Sequence, residues 1–123
     1  MPNRFVIHTH SGYGKTHWDL MLACGDALAT WQLSQTPEQL APGESMAVLK
    51  IQDHRTAYLD YEGTVSRGRG KVDMLDGGKY QLLAKNQTRW EIRLEGREIR
   101  GLFAIELTGP GPNQWKLTRL EKG

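Results

Sequence analysis

Cysteine is nearly missing: Cys24 is the one example in 123 residues. That excludes an internal disulfide and any cysteine-based zinc knuckle, and it leaves Cys24 to be read as a small apolar strand residue. Charge of one sign is scarce as well, since 16 basic and 14 acidic residues give a formal net charge of +2 with neutral histidine. So small an excess rules out a whole-molecule electrostatic binder, and any nucleic-acid contact has to come from a local patch. No apolar run approaches the roughly 20 residues of a membrane-spanning helix. Met1 to His10 lacks the apolar stretch of a signal peptide, so a cytoplasmic protein is expected. Repeats, linkers and low-complexity tracts are also missing. What is present, 38% hydrophobic residues, fills one core at this length, and one domain over residues 1–123 is expected.

Helical periodicity is nearly absent too. Short stretches alternate apolar and polar residues between turn signals, which predicts strands at about residues 4–10, 17–24, 27–33, 46–52, 70–76, 79–85, 90–95, 99–107 and 114–120. Trp90, Ile92 and Leu94 alternate with Glu91, Arg93 and Glu95, so one face is buried and the other wet. Gly25-Asp26 and Gly77-Gly78 read as two-residue hairpin turns, because glycine takes positive φ without steric cost. Ser34 to Ser45 carries Pro37 and Pro42 and has room for one helical turn at most. Nine strands at this spacing point to a small antiparallel barrel or sandwich.

The histidines are concentrated. All four lie in the first 54 residues, and three fall between residues 8 and 17. His8-Thr9-His10 closes the first expected strand and His17-Trp18-Asp19 opens the second, with the glycine-containing loop Ser11 to Thr16 between them. In a strand, residues i and i+2 share a face, so the hairpin brings two imidazoles and a carboxylate together. Such a set leaves coordination positions open and suits manganese, zinc or iron in a catalytic site; surface histidines clustered by chance are the plain alternative.

Two further segments carry polar chemistry. Asp53 to Gly63 follows a strand and places a titratable imidazole, His54, near the start of a polar loop. Arg67-Gly68-Arg69-Gly70-Lys71 interleaves three cations with glycines; it is either a phosphate-holding loop or a solvated turn, and it matches no P-loop or dinucleotide fingerprint. Arg89, Arg93, Arg97 and Arg100 are offset by Glu91, Glu95 and Glu98 and read as a solvated strand face.

Phe5-Val6-Ile7 followed by His10, then His17-Trp18-Asp19, then Asp53-His54, Tyr58 and Asp60-Tyr61-Glu62-Gly63, occur in a telling order. With Leu94-Glu95-Gly96, Ile99-Arg100-Gly101 and Trp115-Lys116-Leu117, they make the chain resemble the 3′-phosphoesterase domain of bacterial DNA ligase D and its free-standing relatives, from about Arg4 to Arg119. The resemblance implies an all-β fold: a small antiparallel β-barrel of about eight or nine strands with at most one short helical turn. It implies a phosphodiesterase and phosphomonoesterase that uses manganese to remove a 3′-terminal ribonucleotide or a 3′-phosphate from DNA ends during break repair. It also implies nucleic-acid 3′ ends as substrate and DNA-repair proteins as partners.

By the same resemblance His10, His17 and Asp19 would hold one divalent transition metal, manganese first and zinc second, while His54 and Tyr58 would contact the scissile phosphate. The residues contain no KxDG-type ligase motif, so a free-standing version is expected. The chain departs from the family at three cations. Met21 replaces an Arg, Met46 a second basic residue, and Gln35 a Lys that follows the Trp31 position. Lys50, which shares simple strand parity with His54, and Arg55 are the expected substrate-binding substitutes, with Lys15 nearby. Two functional classes follow: a metal-dependent phosphoesterase, or a barrel that binds metal and phosphate or DNA ends with little or no turnover.

Overall fold

A computed structural model describes residues 3–120; residues 1–2 and 121–123 of the expected domain lie outside it. Alternation on β1 (Asn3–Ser11) and β2 (His17–Cys24) sends Phe5, Ile7, Leu20 and Leu22 to one face, where each is at most 1% exposed. The same pattern recurs on β3 (Ala27–Leu33), β4 (Ser45–Arg55), β6 (Lys71–Lys85), β7 (Arg89–Gly96), β8 (Arg100–Leu107) and β9 (Gln114–Arg119). Neighbours pair antiparallel in the order β1-β2-β3-β4-β9-β8-β7-β6, and β6 returns to β1 to close a barrel of eight strands. The two-residue β5 (Gly63–Thr64) pairs with β6 outside that ring. Closure leaves an interior that side chains fill. Trp31 stands at its centre, edge-on to Trp90 and Trp115 with ring centroids 5.2 and 5.8 Å away. Among the described residues helix is limited to two 3₁₀ turns, Pro37–Gln39 within the proline-bearing stretch and Thr56–Leu59 after β4.

The all-β barrel expectation is met; two short 3₁₀ turns stand where at most one was expected, and one expected hairpin turn is absent. Gly25-Asp26 does turn the chain, with Gly25 at φ +65, but Gly77-Gly78 does not. The chain runs through both glycines as part of the 15-residue β6, which pairs with β1 over its first half and with β7 over its second. The reason is space: a Cβ at Gly78 would collide with the Glu95 carbonyl oxygen, and one at Gly77 would press on the Phe5 carbonyl. These glycines permit close approach of three strands rather than reversal.

Just before them sits Asp76, fully buried, whose carboxylate accepts N–H bonds from Gly77, Arg97, Glu98 and Ile99 at 2.8, 2.8, 3.1 and 2.7 Å. Burial pushes its pKa up, but the four backbone donors outweigh that and hold it below the ordinary carboxylate value. Asp76 thereby ties β6 to the β7–β8 turn. Asp76→Asn turns an amide toward backbone donors and is expected to lose about 2–4 kcal/mol of stability at pH 7. Because the folded pKa is depressed, that contribution is present above about pH 4, the unfolded value, and fades as pH falls through the lower folded one. Urea midpoints at pH 7 and in strong acid check this; a variant as stable as the wild type at pH 7 would contradict the tie.

Two β-bulges decide which face carries the chemistry. Between the pairs Thr30↔Ile51 and Leu28↔His54, β4 advances three residues while β3 advances two. Between Ile7↔Asp76 and His8↔Met74, β6 likewise carries one extra residue. Each bulge flips every later side chain on its strand to the other face. Hence His54 and Met74 join Val6, His8, Met21 and Leu28 on the outer wall of the barrel. There Val6, Met21, Leu28 and Leu59 form a second, smaller buried cluster beneath the Thr56–Leu59 turn.

Candidate active site

His10 pairs with His17 and His8 with Asp19 across the β1–β2 ladder, so all four side chains stand on one patch of that outer wall. The two imidazoles of the first pair meet edge to face with centroids 4.7 Å apart. His10 Nδ1 lies 3.8 Å from Asp19 Oδ2, and His17 Nε2 lies 3.4 Å from Asp19 Oδ1. The far nitrogens are occupied. His10 Nε2 donates to the Arg69 carbonyl at 2.6 Å, and His17 Nδ1 faces the Lys15 carbonyl at 3.4 Å. A carbonyl only accepts, so each ring carries a proton on that outward side, and its other nitrogen faces Asp19.

Asp19 is 4% exposed, and its Oδ1 has no hydrogen-bond partner among the described residues. Burial raises its pKa against the pull of His17, His54 and His10. Two ring nitrogens and a carboxylate oxygen, all within 4.8 Å of one another, thus converge. A cation at the centre suits that arrangement. Two imidazole nitrogens and a carboxylate oxygen fit a divalent transition metal with positions left open.

Beside the triad a hollow of about 320 Å³ opens between the barrel wall and the segment that follows β4. His8, His54, Arg55 and Tyr58 line it together with His10 and Asp19. His54 Nδ1 donates to the Gln52 carbonyl at 3.0 Å, which leaves Nε2 uncommitted, and its ring packs against Tyr58 with centroids 5.5 Å apart. An ion pair between Arg4 and Asp60, at 2.7 Å, straps this segment to β1; both groups are exposed, so it contributes little stability.

The structure does not bring Lys50 to this hollow. Strand parity aligned it with His54, but the β4 bulge separates them. Lys50 pairs with Trp31, holds its ammonium 5.3 Å over that indole, and bonds Ile51 O and Asp53. Met46 is 7% exposed in the barrel core, and Gln35 lies beyond β3, outside the hollow's lining. Met21 does line the hollow, but as an apolar floor packed in the smaller cluster.

Two lining residues matter beyond those expected from sequence. His8 is fully buried, and neither ring nitrogen has a partner among the described residues. Burial, aided by His54 and His10, lowers its pKa to about 4, so it faces the hollow as a neutral ring. Its i,i+2 relation to His10 was the available signal. Arg69 is the other; its loop had been singled out, but not the residue within it.

The family model for the DNA ligase D 3′-phosphoesterase domain matches residues 7–106, from within β1 to the end of β8. The chain belongs to that family. The matched span includes the triad, His54, Tyr58 and the Arg69 loop. The chain is also 25% identical, over 131 aligned positions, to the multifunctional non-homologous end joining protein LigD of Pseudomonas aeruginosa. That alignment takes in 98% of this chain and 15% of the relative's length. This 3′-phosphoesterase-family barrel therefore corresponds to a small part of that protein. Among the described residues no helix is long and apolar enough to cross a membrane.

Proposed function

We propose that this family member is a metal-dependent phosphoesterase that removes a 3′-phosphate or a 3′-terminal ribonucleotide from nucleic-acid ends, or cleaves a related phosphate ester. In this reading residues 1–123 act as one domain in the cytoplasm, alongside DNA-repair proteins. The observation that carries the reading is the convergence of His10 Nδ1, His17 Nε2 and Asp19 at the edge of a hollow that also holds His54 and Tyr58. A divalent transition metal on those three ligands, manganese first and zinc second, supplies Lewis-acid charge to a phosphate oxygen when bound.

The chain's own groups do the rest. His54, with Nδ1 committed to Gln52, has Nε2 free to donate to the phosphate or to protonate the leaving oxygen. The Tyr58 hydroxyl holds a phosphate oxygen, and Arg55 adds charge at the rim.

The direct test uses oligonucleotides ending in a 3′-phosphate or a 3′-ribonucleotide, with manganese and then with a chelator. Expected is hydrolysis with manganese and none with chelator. A second reading, a binder with little turnover, is favoured by one observation: the apolar Met21 floor where the resemblance implies an Arg. That reading predicts tight binding of the ends without hydrolysis in the same assay.

A further inference from the structure

The loop between β5 and β6 serves both halves of the site. Val65 N–H donates to Gly70 O at 2.8 Å and closes it, while Arg67, Gly68 and Gly70 take φ of +63, +66 and +78. A Cβ on Gly70 would collide with the carbonyl oxygen of Ser11, so the loop lies backbone against backbone on the hairpin that carries His10 and His17. Only glycine allows that approach. The contact delivers the Arg69 carbonyl to His10 Nε2 at 2.6 Å, the bond that leaves Nδ1 facing Asp19.

Arg69 is itself one of the residues that line the hollow. Its Nε donates to Ser66 O at 3.0 Å and one Nη to Ser66 Oγ at 3.4 Å, so its own loop steadies it. Among the described residues no carboxylate pairs with it. A guanidinium has five N–H donors, and those two bonds leave most of them unspent. The neighbouring floor offers phosphate nothing, because it is Met21.

We propose that Arg69 is the phosphate-contacting cation of this site, and that its loop couples the two halves: the carbonyl orients His10 while the guanidinium meets a terminal phosphate. The inference rests on the phosphoesterase reading for the chemistry of the ligand. The positive charge then sits on a loop, not at the positions of Met21, Gln35 and Met46.

The test uses manganese-loaded protein, inorganic phosphate as the calorimetric probe, and turnover of a 3′-phosphorylated oligonucleotide. Arg69→Ala is expected to raise the phosphate Kd and the KM by about tenfold or more, because it removes a charge-assisted contact. Manganese affinity should stay within about twofold, since the backbone carbonyl remains. Arg69→Lys should restore part of the phosphate affinity. Gly70→Ala, which displaces the whole loop, should weaken manganese and phosphate binding together; circular dichroism confirms that it folds, and if it does not, the Arg69 pair decides alone. A folded Arg69→Ala with wild-type phosphate Kd and KM overturns the proposal, as does one that loses manganese and phosphate equally. A wild type that holds manganese yet neither binds phosphate nor hydrolyses the 3′-phosphorylated oligonucleotide overturns the phosphoesterase reading itself, before any substitution is made.

Discussion

His54→Ala is expected to lower kcat on a 3′-phosphorylated oligonucleotide by about 10²–10⁴-fold, the usual worth of an acid–base group, with manganese affinity near that of the wild type. The separation of the two effects follows from position. His54 enters the hollow from β4 and is not one of the three converging ligand atoms. His54→Gln keeps a hydrogen-bond donor without a titrating proton, so phosphate binding should recover more than rate. With His54 as the acid, the alkaline descending limb of the kcat profile should flatten in that variant. If the protein is instead a binder, His54→Ala only weakens phosphate affinity, by about 1–3 kcal/mol. Metal-dependent hydrolysis that persists undiminished in His54→Ala would remove this residue from the chemistry and leave the triad intact.

Asp19→Asn is expected to abolish stoichiometric manganese binding while the metal-free barrel is at least as stable as the wild type. The second half is the sharper claim. Asp19 is buried with an oxygen that nothing donates to, so it is a burden on folding until a cation arrives. At a hundredfold excess of metal over Kd the wild type gains about 2.7 kcal/mol, or roughly 10 °C in Tm, and the variant gains nothing. Thermal scans of both proteins, with and without manganese, check this. Equal metal-induced shifts in the two would overturn the triad.

Much of this was legible because strands keep parity while their ladders are unbroken. His10, His17 and Asp19 sit on the regular β1–β2 ladder, so the i,i+2 rule brought them together. Trp90, Ile92 and Leu94 are buried as their alternation required, at 7%, 0% and 1% exposure. Lys50 was misplaced because the extra residue in β4 leaves no mark in Gln52-Asp53, and a parity argument fails silently at a bulge. Gly77-Gly78 was misread because a turn and a close approach ask for the same residue; only the absence of a positive φ at both positions separates the two uses. The two-residue β5 is too short for any periodicity. Arg69 depends on a long-range backbone contact, between Gly70 and Ser11, that no local pattern encodes.

The triad and its hollow stand on the outside of a barrel whose lumen is plugged by Trp31, Trp90, Phe103 and Trp115. Traffic through such a site is lateral. In the proposed reading a bulky polymer approaches tangentially and lays its last phosphate into the hollow while the rest stays in solvent, so no tunnel diameter sorts substrates. Wall and lumen are also separable in evolution. A lineage can move a cation from one strand to a neighbouring loop without repacking a single tryptophan.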